Sequence, residues 1–91
     1  MVVYLKKFGT LLISRQAGRE ALAAFQQRLK TLGGDEPLEI DFEGVGVFSP
    51  SWGDEFLTPL QRQFKDRLIL KNGGNASVAA TVDLLGKIHQ V

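Results

Sequence analysis

Apolar residues recur along this chain with two different periods, and the order of those periods predicts its architecture. The clearest period of two lies at Leu38, Ile40 and Phe42, which alternate with Glu39, Asp41 and Glu43. Successive side chains of a strand point to opposite faces, so the three apolar residues share one face. A second apolar pulse follows at Val45, Val47 and Phe48, and the chain then meets Ser49, Pro50 and Ser51. Upstream, residues 2–5 (VVYL) are rich in β-formers and end at Gly9. Residues 11–13 are a further short apolar run, either an adjoining strand or the buried approach to a helix.

The helical period appears three times. Leu22, Phe25, Leu29 and Leu32 recur at spacings of three and four, with Ala17, Ala21 and Ala24 between them, and predict a helix over about 15–32. Ser14 is its expected N-cap, and Gly33 and Gly34 lie just past its end. Trp52, Phe56, Leu60 and Phe64 predict a second helix from about residue 51. Pro59 falls inside it, removes a backbone donor and predicts a kink or an early end. Residues 67–71 (RLILK) read as a short strand, and 72–75 (NGGN) as a turn, with an anion-binding nest as the alternative. Val78, Val82, Leu85 and Ile88 form the stripe of a last helix over about 76–89. The expected fold is α/β: a small, mostly parallel sheet of three to five strands packed with about three helices, as one domain over 1–91.

Composition narrows the function. The 91 residues carry 11 basic and 10 acidic side chains, a formal charge of +1. Nucleic-acid-binding domains usually show a strong basic excess, so this balance argues against nucleic acid as the main partner. Arg15, Arg19, Arg28 and Lys30 lie on or near the first predicted helix and read as its solvated face. With no cysteine, disulfides and thiolate metal sites are excluded. The first residues lack a signal-peptide layout, and no apolar run approaches the ~20 residues of a membrane span. A cytoplasmic protein with no membrane association is expected.

The chemistry concentrates at residues 49–55. Ser51, followed three residues later by Asp54, reads as a helix-start signature. Asp54 and Glu55 would then sit in the first turn, where the helix dipole favours negative charge. A salt link from Arg15 to Asp54 or Glu55 is expected if the two connections meet at one end of the sheet. Trp52 either caps the core or offers an aromatic anchor to a partner. Asp41 and Glu43 read as the outward face of a strand, with a carboxylate pair for acid–base work or a metal as the alternative. His89 is the only histidine, and Ser–His catalysis would need it beside Ser49 or Ser51 with an orienting acid. The residues therefore predict no catalytic site, no metal and no cofactor.

Two blocks resemble the STAS-like domain family of unknown function, which is related to the anti-sigma factor antagonist (STAS) domains. The first is Phe8-Gly9 with Leu12, Ser14-Arg15 and Gly18. The second is Asp41-Phe42-x-Gly44-Val45 followed by Phe48-Ser49-x-Ser51-Trp52-x-Asp54-Glu55. The family's usual aromatic after the second serine is Phe, and here it is Trp52. The resemblance implies a small sheet backed by helices and a regulatory protein-binding role, often beside ATPases of the histidine-kinase type. In true STAS antagonists a serine at the N-terminus of the corresponding helix is phosphorylated. That position falls on Pro50 here, which leaves Ser51 or Ser49 as candidate phosphoacceptors.

The expected function is thus a non-enzymatic, STAS-like regulatory module. It would bind a protein partner through Ser49, Ser51, Trp52, Asp54 and Glu55, in a partner switch with a histidine-kinase-like ATPase. A homo-oligomeric adaptor, such as a homodimer, is the first alternative. A small metal- or ligand-binding enzyme using Asp41, Glu43, Asp54 and Glu55 is the second.

Overall fold

The computed structural model describes residues 1–71 and 75–89, with side chains through residue 85. Five strands and three α-helices follow one another in the order β1 (Val2–Tyr4), β2 (Leu11–Leu12), α1 (Arg15–Leu29), β3 (Leu38–Asp41), β4 (Val47–Phe48), α2 (Pro50–Phe64), β5 (Leu68–Lys71) and α3 (Ala76–His89). Single 3-10 turns follow β1 at Leu5–Phe8 and precede β5 at Lys65–Arg67. This is the expected α/β arrangement, and all strand pairings are parallel. The strands divide into two sheets, however: β1-β3-β5, and a separate pair β2-β4.

Register explains the alternation in the sequence. Val3 pairs with Ile40, and Ile40 with Leu70. Together with Leu38 they form the inner face, and Val3, Leu38 and Ile40 are fully buried. Val2, Glu39 and Ile69 make one row of the outer face, and Tyr4, Asp41 and Lys71 the next. The helices pack on one another in the order α1, α2, α3, so α2 lies centrally, and α3 also rests on β4. Every amphipathic stripe meets the same core, built on Phe25, Phe42, Phe48, Trp52, Phe56, Leu57 and Leu60.

The connection from β3 to β4 accounts for part of the second sequence block. Asp41 Oδ1 accepts the Glu43 N–H at 2.9 Å, and the Phe42 carbonyl accepts the Val45 N–H at 3.0 Å. Gly44 sits at φ +85°, a left-handed conformation that side chains with a Cβ resist. The turn delivers the chain to β4, which joins β2 through Thr10 and Leu12. The Thr10 carbonyl accepts from Gly46 and Val47, and the Leu12 carbonyl from Ser49.

Three helix boundaries differ from the sequence expectation. First, α1 ends at Leu29 instead of Leu32. Its last turn tightens: the Arg28 carbonyl accepts both the N–H and the hydroxyl of Thr31, and Leu29 accepts from Leu32. Second, α2 begins at Pro50, and its N-cap is Ser49, not Ser51. Proline pushes the residue before it into extended conformation, and Ser49 (φ −91°, ψ 156°) already has the backbone an N-cap needs. Proline at the first helical position also loses no hydrogen bond. Asp54 and Glu55 therefore lie beyond the first turn, which contains no acid. Third, Pro59 does not end α2, which runs unbroken to Phe64. Buried Phe56, Leu57, Leu60 and Phe64 hold the helix to the core on both sides of the proline.

At α3, Asn75 is the cap. Its Oδ1 accepts the N–H groups of Ser77 and Val78, and its amide donates to the Val45 and Gly46 carbonyls at 2.7 and 3.1 Å. Thr81, buried, donates its hydroxyl to the Phe48 carbonyl. These bonds tie α3 to β4. Residues 72–74 of the expected turn, and the side chains of Ile88 and His89, lie outside the described residues.

Candidate functional site

The two sequence blocks meet where β2 and β4 deliver the chain into α1 and α2. Ser14 caps α1, its hydroxyl accepting the Ala17 N–H at 3.0 Å. Ser49 does the same for α2, accepting the Trp52 N–H at 3.3 Å, while its hydroxyl donates to the Ile13 carbonyl at 2.5 Å. One serine thus fastens the helix start to the strand beside it. Ser51, two residues on, is exposed. Ser49→Ala is therefore expected to cost about 1–2 kcal/mol, the upper part of the N-cap range. Ser51→Ala should stay within about 0.5 kcal/mol, as an exposed substitution does. Urea denaturation of both variants checks this, and equal losses would contradict the assignment of the cap.

Beside the caps, Arg15 of α1 reaches α2. Its Nη1 lies 3.0 Å from Asp54 Oδ2 and 2.9 Å from Glu55 Oε1. Arg19, one turn further, lies 3.6 Å from Glu55 Oε2. The hydrogen bond from Arg15 holds the Glu55 carboxyl below its usual pKa, and Arg19 adds to the effect. Asp54 and then Glu55 raise the pKa of the Arg15 guanidinium. Asp54 also accepts the Thr58 hydroxyl at 3.3 Å. These groups are partly exposed, so the ion pairs orient the two helices at this rim more than they stabilise the fold.

Trp52 does not face a partner. It is 1 % exposed, with ring centroids 4.8 Å from Phe56, 5.8 Å from Phe48 and 6.2 Å from Phe8. Of its two readings, the core is the one that the geometry carries. Trp52 points inward because it shares one face of α2 with buried Phe56, Leu60 and Phe64.

An exposed apolar surface lies instead on β2 and β4, separate from Val2, Tyr4 and Ile69 on the larger sheet. Leu11 is 64 %, Ile13 50 % and Val47 41 % exposed, and Leu11 pairs with Val47 in register. Their alternation with buried Leu12 and Phe48 puts all three on the outer face of the small sheet. Sequence reading missed them because an apolar run by itself reads as core. The usable signal was Leu11, Leu12 and Ile13 in succession, since a strand covered on one face cannot bury all three. Asp41 and Glu43, the alternative acid–base pair, lie at the end of β3 and in the turn after it, where Asp41 shapes the backbone.

A family model for a STAS-like domain of unknown function matches residues 18–78. The chain belongs to that family. The match runs from the first turns of α1 through β3, β4, α2 and β5 to the start of α3. It includes the second sequence block and, of the first, Gly18 alone. No curated protein and no solved structure gives a significant match. In this STAS-like domain Gly18 has a packing role. A Cβ placed on it would lie 2.6 Å from the Trp52 carbonyl oxygen, so the backbones of α1 and α2 are packed against each other there. No helix among the described residues is long and apolar enough to cross a membrane.

Proposed function

We propose that this STAS-like domain is a non-enzymatic regulatory module that docks on a protein partner through the outer face of β2 and β4 and the start of α2. The observation that carries the reading is the exposed trio Leu11, Ile13 and Val47, joined to the start of α2 by the bond from the Ser49 hydroxyl to the Ile13 carbonyl. An apolar centre rimmed by polar groups is the anatomy of a protein interface. The rim is supplied by Arg15, Asp54 and Glu55, already ordered by their ion pairs. Trp52 contributes from behind, by holding the backbone of the turn.

The family resemblance adds a partner switch with an ATPase of the histidine-kinase type, and for that switch we take Ser51 as phosphoacceptor ahead of Ser49. The Ser49 hydroxyl is engaged on both sides, whereas Ser51 is exposed in the first turn of α2. A phosphate there would sit at the positive end of the helix dipole. The repulsion expected from Asp54 and Glu55 is reduced, because Arg15 and Arg19 stand against them. A phosphate would also place up to two negative charges at the border of the apolar trio, which alters docking.

The test is affinity purification of the tagged protein from its native host, with mass spectrometry of co-purifying chains and of Ser51. A histidine-kinase-type ATPase is expected, retained by Ser51→Ala. Its retention should fall at least tenfold with Leu11→Asp, an exposed substitution that leaves the core intact. An ATPase still retained by Leu11→Asp would refute the docking surface. A concentration-independent dimer by light scattering, with no other chain, would replace the reading by a homo-oligomeric adaptor.

A further inference from the structure

A second surface, remote in sequence from the first, lies at the edge of the larger sheet. β5 is the last strand in the order β1-β3-β5, and among the described residues no strand pairs with its far side. It carries Leu68, Ile69 and Leu70 in succession, an apolar run that suits a strand paired on both sides and covered on both faces. In the structure it has neither. Ile69 is 42 % exposed on the outer face, and Leu68 and Leu70 are only half-buried, while their neighbours Leu38 and Ile40 on β3 are fully buried.

The hydrogen-bond pattern shows which groups the edge offers. The Phe42 N–H donates to the Lys71 carbonyl at 2.8 Å, so Lys71 faces β3. In a parallel ladder the N–H and C=O of one residue point to the same side, and successive residues alternate. Ile69 therefore also faces β3. Leu68 and Leu70 turn their N–H and C=O groups to the open side. A natural edge is usually guarded by charges, lysine above all, by proline or by a bulge, and β5 carries such a guard only at its end, in Lys71. Leu68, Ile69 and Leu70 have none of these.

Charge decides between a second copy and a different partner. The apolar-matched two-fold pairing of β5 with itself sets Ile69 opposite Ile69. It then puts Arg67 of one copy opposite Lys71 of the other at both ends. Like charges directly opposite each other destabilise a sheet. Lys71 is 60 % exposed, and its ion pair to Glu39 at 3.4 Å is of the weak surface kind. Arg67 is half-buried, stacks on the Phe64 ring and gives one of its several guanidinium donors to the Glu36 carbonyl at 3.3 Å.

We infer that the free edge of β5 takes up an extended segment of a partner protein, three apolar residues bracketed by acidic ones, as an added strand. The segment's backbone pairs with Leu68 and Leu70, and its acids meet Arg67 and Lys71. Strand addition of this kind takes affinity from main-chain bonds and specificity from alternate side chains.

The experiment uses the whole protein and two capped peptides, Glu-Val-Ile-Val-Glu and Lys-Val-Ile-Val-Lys, followed by amide chemical shifts. The acidic peptide is expected to move the Leu68 and Leu70 amides. It should bind about two- to fivefold more tightly than the basic one for each matched charge. Lys71→Glu leaves Arg67 at one end of the edge and an acid at the other, and should abolish that preference. Leu70→Pro removes an outward N–H without cutting the ladder to β3, and should abolish binding. Where Leu70→Pro fails to fold, the loss of preference in Lys71→Glu decides. Equal binding of the two peptides, no shift at β5, or a dimer of the protein alone with β5 protected would overturn the inference. Shifts confined to Leu11 and Val47 would overturn it too, while leaving the β2–β4 docking reading intact.

Discussion

Trp52→Ala is expected to cost this fold about 3–5 kcal/mol, the range for emptying a large aromatic site in a core. The site is the aromatic centre of the domain: Trp52 touches Phe56, Phe48 and Phe8, and Phe56 passes the contact to Phe25 at 5.8 Å. A domain of this length has a total stability of roughly 5–14 kcal/mol, so the loss takes a large part of it. Trp52→Phe keeps an aromatic ring and leaves a much smaller cavity than alanine, so it should cost clearly less. The check is urea denaturation followed by circular dichroism, because the alanine variant lacks the chain's only tryptophan as a fluorescent probe. An alanine variant within about 1 kcal/mol of the parent that had nevertheless lost its partner would restore Trp52 as an exposed anchor.

Gly18→Ala is the second large effect, and here the sign is the test. Helix propensity by itself favours alanine over glycine in the interior of α1 by about 1 kcal/mol. The tertiary structure opposes it. The new Cβ would sit 2.6 Å from the Trp52 oxygen and 3.1 Å from its Cα, and both are backbone atoms that cannot swing aside as a side chain would. Relief requires α1 and α2 to separate. Overpacking of this kind costs about 1–3 kcal/mol, occasionally more. The same separation would lengthen the Arg15 contacts to Asp54 and Glu55, which lie on the same pair of helices. A net loss of stability is therefore expected, with Glu55 titrating closer to its ordinary value in the variant. A variant more stable than the parent would mean that the helices have slack at this crossing.

These two residues also mark where sequence and structure part. The order of elements was readable, because each carries its own period: two at Leu38, Ile40 and Phe42, and three to four at Leu22, Phe25 and Leu29. Ser14 was readable as a cap, since an N-cap acts within a few residues. The start of α2 was misread because two local signals competed. Ser51 with Asp54 suggested one phase, and Pro50 set another. Moving the cap back by two residues carried Asp54 and Glu55 out of the first turn.

The sequence by itself determined the three helices and β1, β3 and β5, their order, and which face of each is apolar; it left β2 open and showed β4 only as an apolar pulse. It also held the blocks that place the chain among STAS-like domains. Tertiary structure alone decided which apolar residues are covered. Trp52 went inside and Leu11 stayed out, although both belong to apolar patterns. It alone separated β2 and β4 into their own sheet, left β5 as an open edge, and brought Arg15 to two carboxylates on another helix. The physical reason is range. Periodicity and capping act over one or two turns of chain, whereas burial depends on which distant element arrives to cover a face, and sheet order on which strands that arrival leaves unpaired.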